Sequence, residues 1–149
     1  MSGFTVRLAE ESDLKDWGNM RIALWGGDED EAELLEELPE LLDKSNDKTG
    51  WIMRDSDGAA IGFAEADIRS YTPDCEGPAP YLEGIWVSEA WRRKGLAAAL
   101  LATVEDWARA KGHDEMGSDA LLDNVVSHDW HGAQGFEEVE RIVVFRKDI

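Results

Sequence analysis

The stretch "YLEGIWVSEAWRRKGLAAALLATVEDWARAK", Tyr81 to Lys111, decides the fold. Its first part, Tyr81–Val87, reads as a strand: aromatic and β-branched residues closely follow Pro78 and Pro80, where the chain is punctuated. Its last part, Gly95 to Lys111, is rich in Ala and Leu and reads as a helix, with Gly112 placed to end it as a C′ residue. The junction concentrates Arg92, Arg93 and Lys94 directly before Gly95. A helix N-terminus exposes N–H groups without internal partners and carries partial positive charge, so it attracts phosphate. Gly95 can adopt positive φ and admit a ligand to the backbone, and Ala97 is too small to block it. The segment fits a pyrophosphate cradle; the plain alternative is a solvated basic turn before an ordinary helix. Neither G-x-x-x-x-G-K-[ST] nor G-x-G-x-x-G occurs, which argues against a P-loop and a dinucleotide fold.

Working outward, "FTVRLA" (Phe4–Ala9) alternates as a half-buried strand does. Ser12 or Asp13 can cap a helix towards Trp25, with Leu14, Trp17, Ile22 and Trp25 on one face. "AELLEELPELLDK" carries leucines at helical spacing, and Pro39 should kink or divide it. "WIMRDSDGAAIGFAEADIR" reads as two strands about a turn at Asp57-Gly58. After the Tyr81–Lys111 unit come a short strand in "DEMGSDA", a helix in "DNVVSHDWHGAQG", and a returning strand in "FEEVERIVVFRK" (Phe136–Lys147). The order β-α-α-β-β-β-α-β-α-β describes a mixed α/β protein, and 149 residues suit a single domain, 1–149.

The formal charge is −18, from 33 acidic and 15 basic residues. That balance argues against nucleic acid, which needs neutralising Lys and Arg, and favours a cationic partner, or simply solubility. No apolar run reaches the roughly 20 residues of a membrane span, and the N-terminus lacks the pattern of a signal peptide, so a cytoplasmic location is expected. The single cysteine, Cys75, has no internal disulfide partner, and no Cys/His set has metal spacing; no metal is expected.

Arg92-x-x-Gly95-x-Ala97 after a strand resembles the acyl-CoA pyrophosphate signature of the GCN5-related N-acetyltransferases (GNAT). Asn124, Ser127, His131, Gly135 and Phe136 match the spacing of that family's second signature, close to N-x-x-[AS]-x-x-x-Y-x-x-x-G-F. "LWGG" with its acidic tract, "AIGFAEADIR", "YLEGIWV", "EMGSD" and "GFEEVERIVVFRK" further resemble the aminoglycoside 6′-N-acetyltransferases of the small bacterial resistance type. The resemblance implies a GNAT fold, a central twisted mixed sheet flanked by helices with acetyl-CoA at a splayed pair of strands. It also implies a homodimer that transfers acetyl from acetyl-CoA to a primary amine of an aminocyclitol antibiotic. Acetylation of a polyamine, another small amine or a protein amine is the alternative within enzymes. A non-catalytic acyl-CoA sensor is the alternative outside them.

The resemblance also distributes roles. Ile85, Trp86 and Val87 align the pantetheine arm, a backbone N–H there polarising the thioester carbonyl; ordinary ladder pairing is the alternative. Arg92, Arg93, Lys94, Gly95, Leu96 and Ala97 hold pyrophosphate. Asn124 bonds the coenzyme or merely caps its helix. The attacking amine must be neutral, although alkylamines titrate near ~10.4 by analogy with lysine, so a base must take its proton. Glu83, placed by strand alternation on the face of Ile85 and Val87, is that base through water, or a substrate-binding carboxylate, or an Arg-paired surface acid. Asp119 and Glu140 are assigned to the amine pocket, with Trp25, Asp28 and Tyr71 as further substrate contacts. His131 stands where many members have a tyrosine that protonates the leaving thiolate, as an acid or as a structural histidine. A thiol near ~8.5 needs little such help. Trp17 and Trp107 are core candidates, His113 and His128 surface ones, and Cys75 is not catalytic because the transfer needs no covalent intermediate.

Overall fold

The computed structural model describes residues 3–43 and 47–149. Strand β1 (Phe4–Leu8) leads through a short 3-10 turn into helix α1 (Leu14–Trp25). Helices α2 (Glu31–Glu36) and α3 (Leu38–Leu42) follow, then strands β2 (Lys48–Asp55), β3 (Ala60–Arg69) and β4 (Ala79–Val87). Helix α4 (Leu96–Ala110), the two-residue strand β5 (Gly117–Ser118) and helix α5 (Val125–Ala133) complete the order. Strands β1 to β4 are antiparallel neighbours in sequence order, and β5 joins β4 in parallel. The result is a five-stranded mixed sheet flanked by helices.

The local code explains most of these elements. Pro39 lies in the first turn of α3 and divides the leucine-rich segment in two, because its ring cannot continue a helix. Asp30 caps α2, accepting from Ala32 and Glu33 N–H groups. Lys44, the end of the expected helix, lies outside the described residues. Helix α4 buries Leu96, Leu100, Leu101, Val104 and Ala108 at helical spacing against one sheet face. Gly112 takes φ +89 just after it, as a C′ glycine does. Trp17, Met20 and Leu38 pack with Ile52 and Phe63 on the other face. Gly50 and Gly84 let α1 approach closely: a Cβ at either would meet the ring of Trp17 or Trp25 at 2.3 or 2.4 Å.

Three sequence expectations meet the structure differently. First, the short strand expected within residues 114–120 forms, at Gly117 and Ser118 alone, opposite Tyr81 and Leu82. Second, the expected strand Phe136–Lys147 does not form. Gly135, at φ +98, turns the chain away from α5, and β5 offers too short an edge to hold a further strand. Val143, Val144 and Phe145 are therefore 75%, 81% and 89% exposed. Third, Glu83 does not share the face of Ile85 and Val87. The β3–β4 register shifts between Glu65 and Ala66, with Glu65 opposite Gly84 and Ala66 opposite Leu82. Glu83 is the extra residue of a bulge, which resets the alternation. Ile85 and Val87 pack on the α4 side, whereas Glu83 turns to the α1 side and lines a cavity there.

Candidate active site

Two features meet along β4. One is an open fork. β4 runs on to Val87 but pairs with β5 only at Tyr81 and Leu82. From Glu83 onward, its outer edge has no strand partner among the described residues. Arg92 Nε donates to the Val87 carbonyl at 2.8 Å and closes the far end. Beyond it the chain passes Arg93 (φ +63) and Gly95 (φ +76), both left-handed, into α4. The first bond across the start of α4 is Ala99 N–H to Gly95 carbonyl, with no side-chain cap. The preceding N–H groups have no hydrogen-bond partner among the described residues, and such a helix start attracts an anion. A Cβ at Gly95 would meet nothing within 4 Å, so the space above it is open. Arg93 and Lys94 are exposed around it, with Lys94 Nζ 5.0 Å from the Trp91 ring centroid.

The other feature is a cavity of about 440 Å³ between α1, α2, α3 and the sheet. Among the described residues, six carboxyl groups line it, from Glu29, Glu37, Glu40, Glu65, Asp67 and Glu83, against two cations, Arg21 and Lys48. Trp25 and two leucines, Leu34 and Leu41, supply its apolar wall. Arg21 and Glu65 are locked together at the floor. Nε and Nη2 donate to the two carboxylate oxygens at 2.7 and 2.9 Å, and Trp17 Nε1 adds a third bond at 2.8 Å. Arg21 also donates to Glu37 at 3.0 Å. Burial, then the charge of Glu37, pushes the Glu29 carboxyl up. Glu83 receives a bidentate pair from Arg69 at 2.8 Å on both oxygens, and the same guanidinium lies 3.5 Å from the Tyr81 ring centroid. Tyr81 in turn donates to Asp119 at 2.7 Å; burial, that bond and the Asp119 charge push the phenol up.

A strand edge forked beside an anion-binding helix start is the coenzyme geometry that the sequence motifs imply. A sequence profile of the acetyltransferase (GNAT) family matches residues 14–136. The chain belongs to this family. An aminoglycoside N(6′)-acetyltransferase type 1 of Salmonella enteritidis is 39% identical over 144 residues, 95% of this chain and 97% of its own. The crystal structure of the aminoglycoside 6′-N-acetyltransferase AAC(6′)-Ih from Acinetobacter baumannii superposes with a TM-score of 0.88 at 36% identity, over 99% of each chain. AAC(6′)-Iy in complex with the bisubstrate analog CoA-S-monomethyl-acetylneamine superposes at 0.89 with 38% identity, over 99% of this chain and 100% of that one.

In this acetyltransferase the sequence-derived site residues fall into groups. Ile85, Trp86 and Val87 lie on the open edge, and Arg92 to Ala97 form the turn at its end, although Arg92 is committed to the Val87 carbonyl. Trp25 and Glu83 line the cavity, and Asp119 accepts from Tyr81, two residues before Glu83 on β4. Asp28 stands in the turn after α1, its N–H on the Trp25 carbonyl; its neighbour Glu29 lines the cavity instead. Tyr71 is exposed in the Pro-rich loop, and Glu140 is exposed on the C-terminal arm; neither lines this chain's cavity. Asn124 caps α5, its Oδ1 accepting from Ser127 N–H at 3.2 Å. His131 bridges α5 to the fork. Its Nδ1 lies 2.7 Å from the Ser127 carbonyl and its Nε2 2.8 Å from the Ser118 hydroxyl. The network assigns the ring proton to Nδ1. Ser118 Oγ is also 3.2 Å from the Leu82 carbonyl, the last paired position before the strands part.

Sequence reasoning missed Arg21, Glu65, Asp67 and Arg69. Their signal was present as period two: Glu65, Asp67 and Arg69 alternate in "AEADIR" with Ala64, Ala66 and Ile68, which places three charges on one strand face.

Proposed function

We propose that this chain is an aminoglycoside 6′-N-acetyltransferase that confers resistance to those antibiotics. It moves the acetyl group of acetyl-CoA to the 6′-amine by direct attack in a ternary complex. The observation that carries this reading is the junction at Glu83, where the acidic cavity meets the open edge of β4. A polycationic amine suits a cavity lined by six carboxyl groups and two cations. One close ammonium–carboxylate contact contributes up to about 4 kcal/mol at 4 Å and intermediate dielectric, before desolvation is subtracted. The pantetheine amides take the unpaired groups along Glu83–Trp86, and an N–H of that stretch stabilises the thioester oxyanion. The turn at Arg93–Ala97 holds pyrophosphate mainly through backbone N–H groups, with Arg93 and Lys94 adding charge. Holding both reactants at one junction supplies much of the acceleration. Glu83 orients and deprotonates the ammonium. Asp119 acts at the rim through Tyr81. His131 serves the coenzyme side through Ser118.

A pair of antibiotics tests this reading. Neomycin B carries a 6′-amine and paromomycin a 6′-hydroxyl. The expected result is acetyl-CoA-dependent turnover and raised inhibitory concentration for the first alone. Equal turnover of both would move the acceptor nitrogen elsewhere, and turnover of spermidine but neither antibiotic would make this a polyamine acetyltransferase.

The protein works as a single cytoplasmic domain that dimerises. Two features support this: the C-terminal arm, 136–149, has the β-branched and aromatic residues of a strand yet exposes them, and the outer side of β5 has no partner strand among the described residues. Two copies can satisfy both features reciprocally. Val144→Asp is expected to convert a dimer to a monomer by light scattering. A dimer unchanged by this substitution would place the interface elsewhere.

A further inference from the structure

We infer that Asp67 is a second acid of the amine site: it shares one proton with Glu83 in the free enzyme, and the pair together accepts the proton that the attacking ammonium must lose. This inference rests on the acetyltransferase reading of the cavity and adds to it a residue that neither signature motif contains.

The geometry starts from the sheet. Asp67 lies on β3 opposite Tyr81 on β4 and opposite Lys48 on β2. The bulge swings Glu83 onto the same face, so the two carboxyl groups line one cavity as neighbours. One strong cation serves both, and it is already taken. Arg69 gives Nε and Nη2 to Glu83 at 2.8 Å and comes no closer than 3.9 Å to Asp67 Oδ1. That oxygen is sealed from solvent and has no hydrogen-bond partner among the described residues. Arg21, on α1, is committed to Glu65 and Glu37. Lys48 is exposed at the start of β2. Among the described residues, the remaining charged groups that line the cavity with the pair, Glu29 after α1 and Glu40 on α3, are acids that oppose a further negative charge. Two adjacent carboxyl groups in this setting cannot both ionise cheaply. Burial pushes Asp67 up to about 7, helped by the neighbouring Glu83 carboxyl and its charge.

The chemistry balances as follows. Arrival of R–NH₃⁺ replaces the shared proton, which leaves to solvent, so the pair becomes doubly ionised. The ammonium then passes one proton to the pair and becomes R–NH₂. Its lone pair forms the C–N bond at the thioester carbonyl carbon. Collapse breaks the C–S bond, the thiolate leaves with that electron pair, and the second nitrogen proton neutralises it. The pair returns its proton to water. A carboxyl held up in the fold binds its proton between about pH 4 and pH 7 while the unfolded chain has released it, so folding stability falls as pH rises across that window.

Asp67→Asn keeps the shape and a donor towards Glu83 but cannot ionise. Carboxyl carbon resonances of the free enzyme, assigned by the signal lost in the variant, test proton sharing without any ligand. Asp67 is expected to titrate near neutrality; an ordinary carboxylate midpoint would overturn the inference. Calorimetry with neomycin B at pH 6, in buffers of different ionisation enthalpy, tests the coupling. Wild type is expected to release about one proton more than the variant on binding, the ligand's own amines contributing equally to both. The acid limb of kcat/KM for the amine should also move to lower pH in Asp67→Asn, with amine KM raised several-fold and acetyl-CoA KM unchanged. Binding with identical proton release in both proteins overturns the role of Asp67 and leaves the antibiotic reading intact. Failure of neomycin B to bind, with Asp67 still titrating near neutrality, rejects the antibiotic and keeps the carboxyl pair.

Discussion

Gly95→Glu is expected to weaken acetyl-CoA binding by about 100-fold or more while leaving the protein folded. The two halves of that expectation have separate causes. A Cβ at this position meets no protein atom within 4 Å, so the substitution displaces nothing in the chain. Its cost to the fold is the left-handed backbone, φ +76, about 1–2 kcal/mol for a residue with a Cβ. The ligand loses more. The side chain adds bulk and a carboxylate at the helix start where, on the reading proposed here, pyrophosphate binds. Hydrogen bonds to a charged group contribute about 1.5–3 kcal/mol each, and every 1.4 kcal/mol is about tenfold in affinity. Calorimetric titration with acetyl-CoA, beside a thermal melt, separates the two. Undiminished affinity would remove the turn from the coenzyme site.

Arg21→Met is expected to be the most damaging single change to stability, lowering the melting temperature by about 10 °C or more. Arg21 and Glu65 have side chains only 5% and 4% exposed. Removing the guanidinium leaves the Glu65 carboxylate buried, with the Trp17 indole as its one remaining side-chain donor among the described residues. Breaking such a pair typically costs about 3–5 kcal/mol, whereas replacing both partners with apolar groups is often close to neutral. The double variant Arg21→Met, Glu65→Leu should therefore melt well above the single one. If the single variant melts within a degree or two of wild type, water reaches Glu65 and the cavity floor is not dry. The pair also bears on function, because it fixes α1 to β3 and so sets the position of Trp25 over Gly84.

The strand–turn–helix unit from Tyr81 to Lys111 was legible because its code is local: strand formers, a glycine at a left-handed position, then a helix with a clear apolar stripe. The coenzyme half of the proposed site follows from the same unit. The amine half did not yield to the same reasoning. Strand alternation put Glu83 beside Ile85 and Val87, and a one-residue bulge, encoded in the pairing of two strands rather than in either alone, moved it to the opposite face. Arg69 and Asp67 acquire their roles only through that shift. In a chain with 33 acidic residues, no single carboxylate stands out until the fold brings six of them around one cavity. The C-terminal arm fails for another reason. Its sequence satisfies the requirements of a strand, but a strand also needs a neighbour, and β5 supplies only two residues.

The open edge of β4 has a consequence outside catalysis. An unpaired row of backbone groups is a defect in a sheet, and on the reading proposed here acetyl-CoA is what mends it, lying along Glu83–Trp86 much as a missing strand would. A ligand that binds only the folded chain stabilises it by about 2.7 kcal/mol at a hundred times its Kd. The enzyme's resistance to unfolding and proteolysis would then follow the supply of activated acetate in the cell. A well-fed cell would keep its protection longer than a starved one, with no regulator involved beyond the substrate itself.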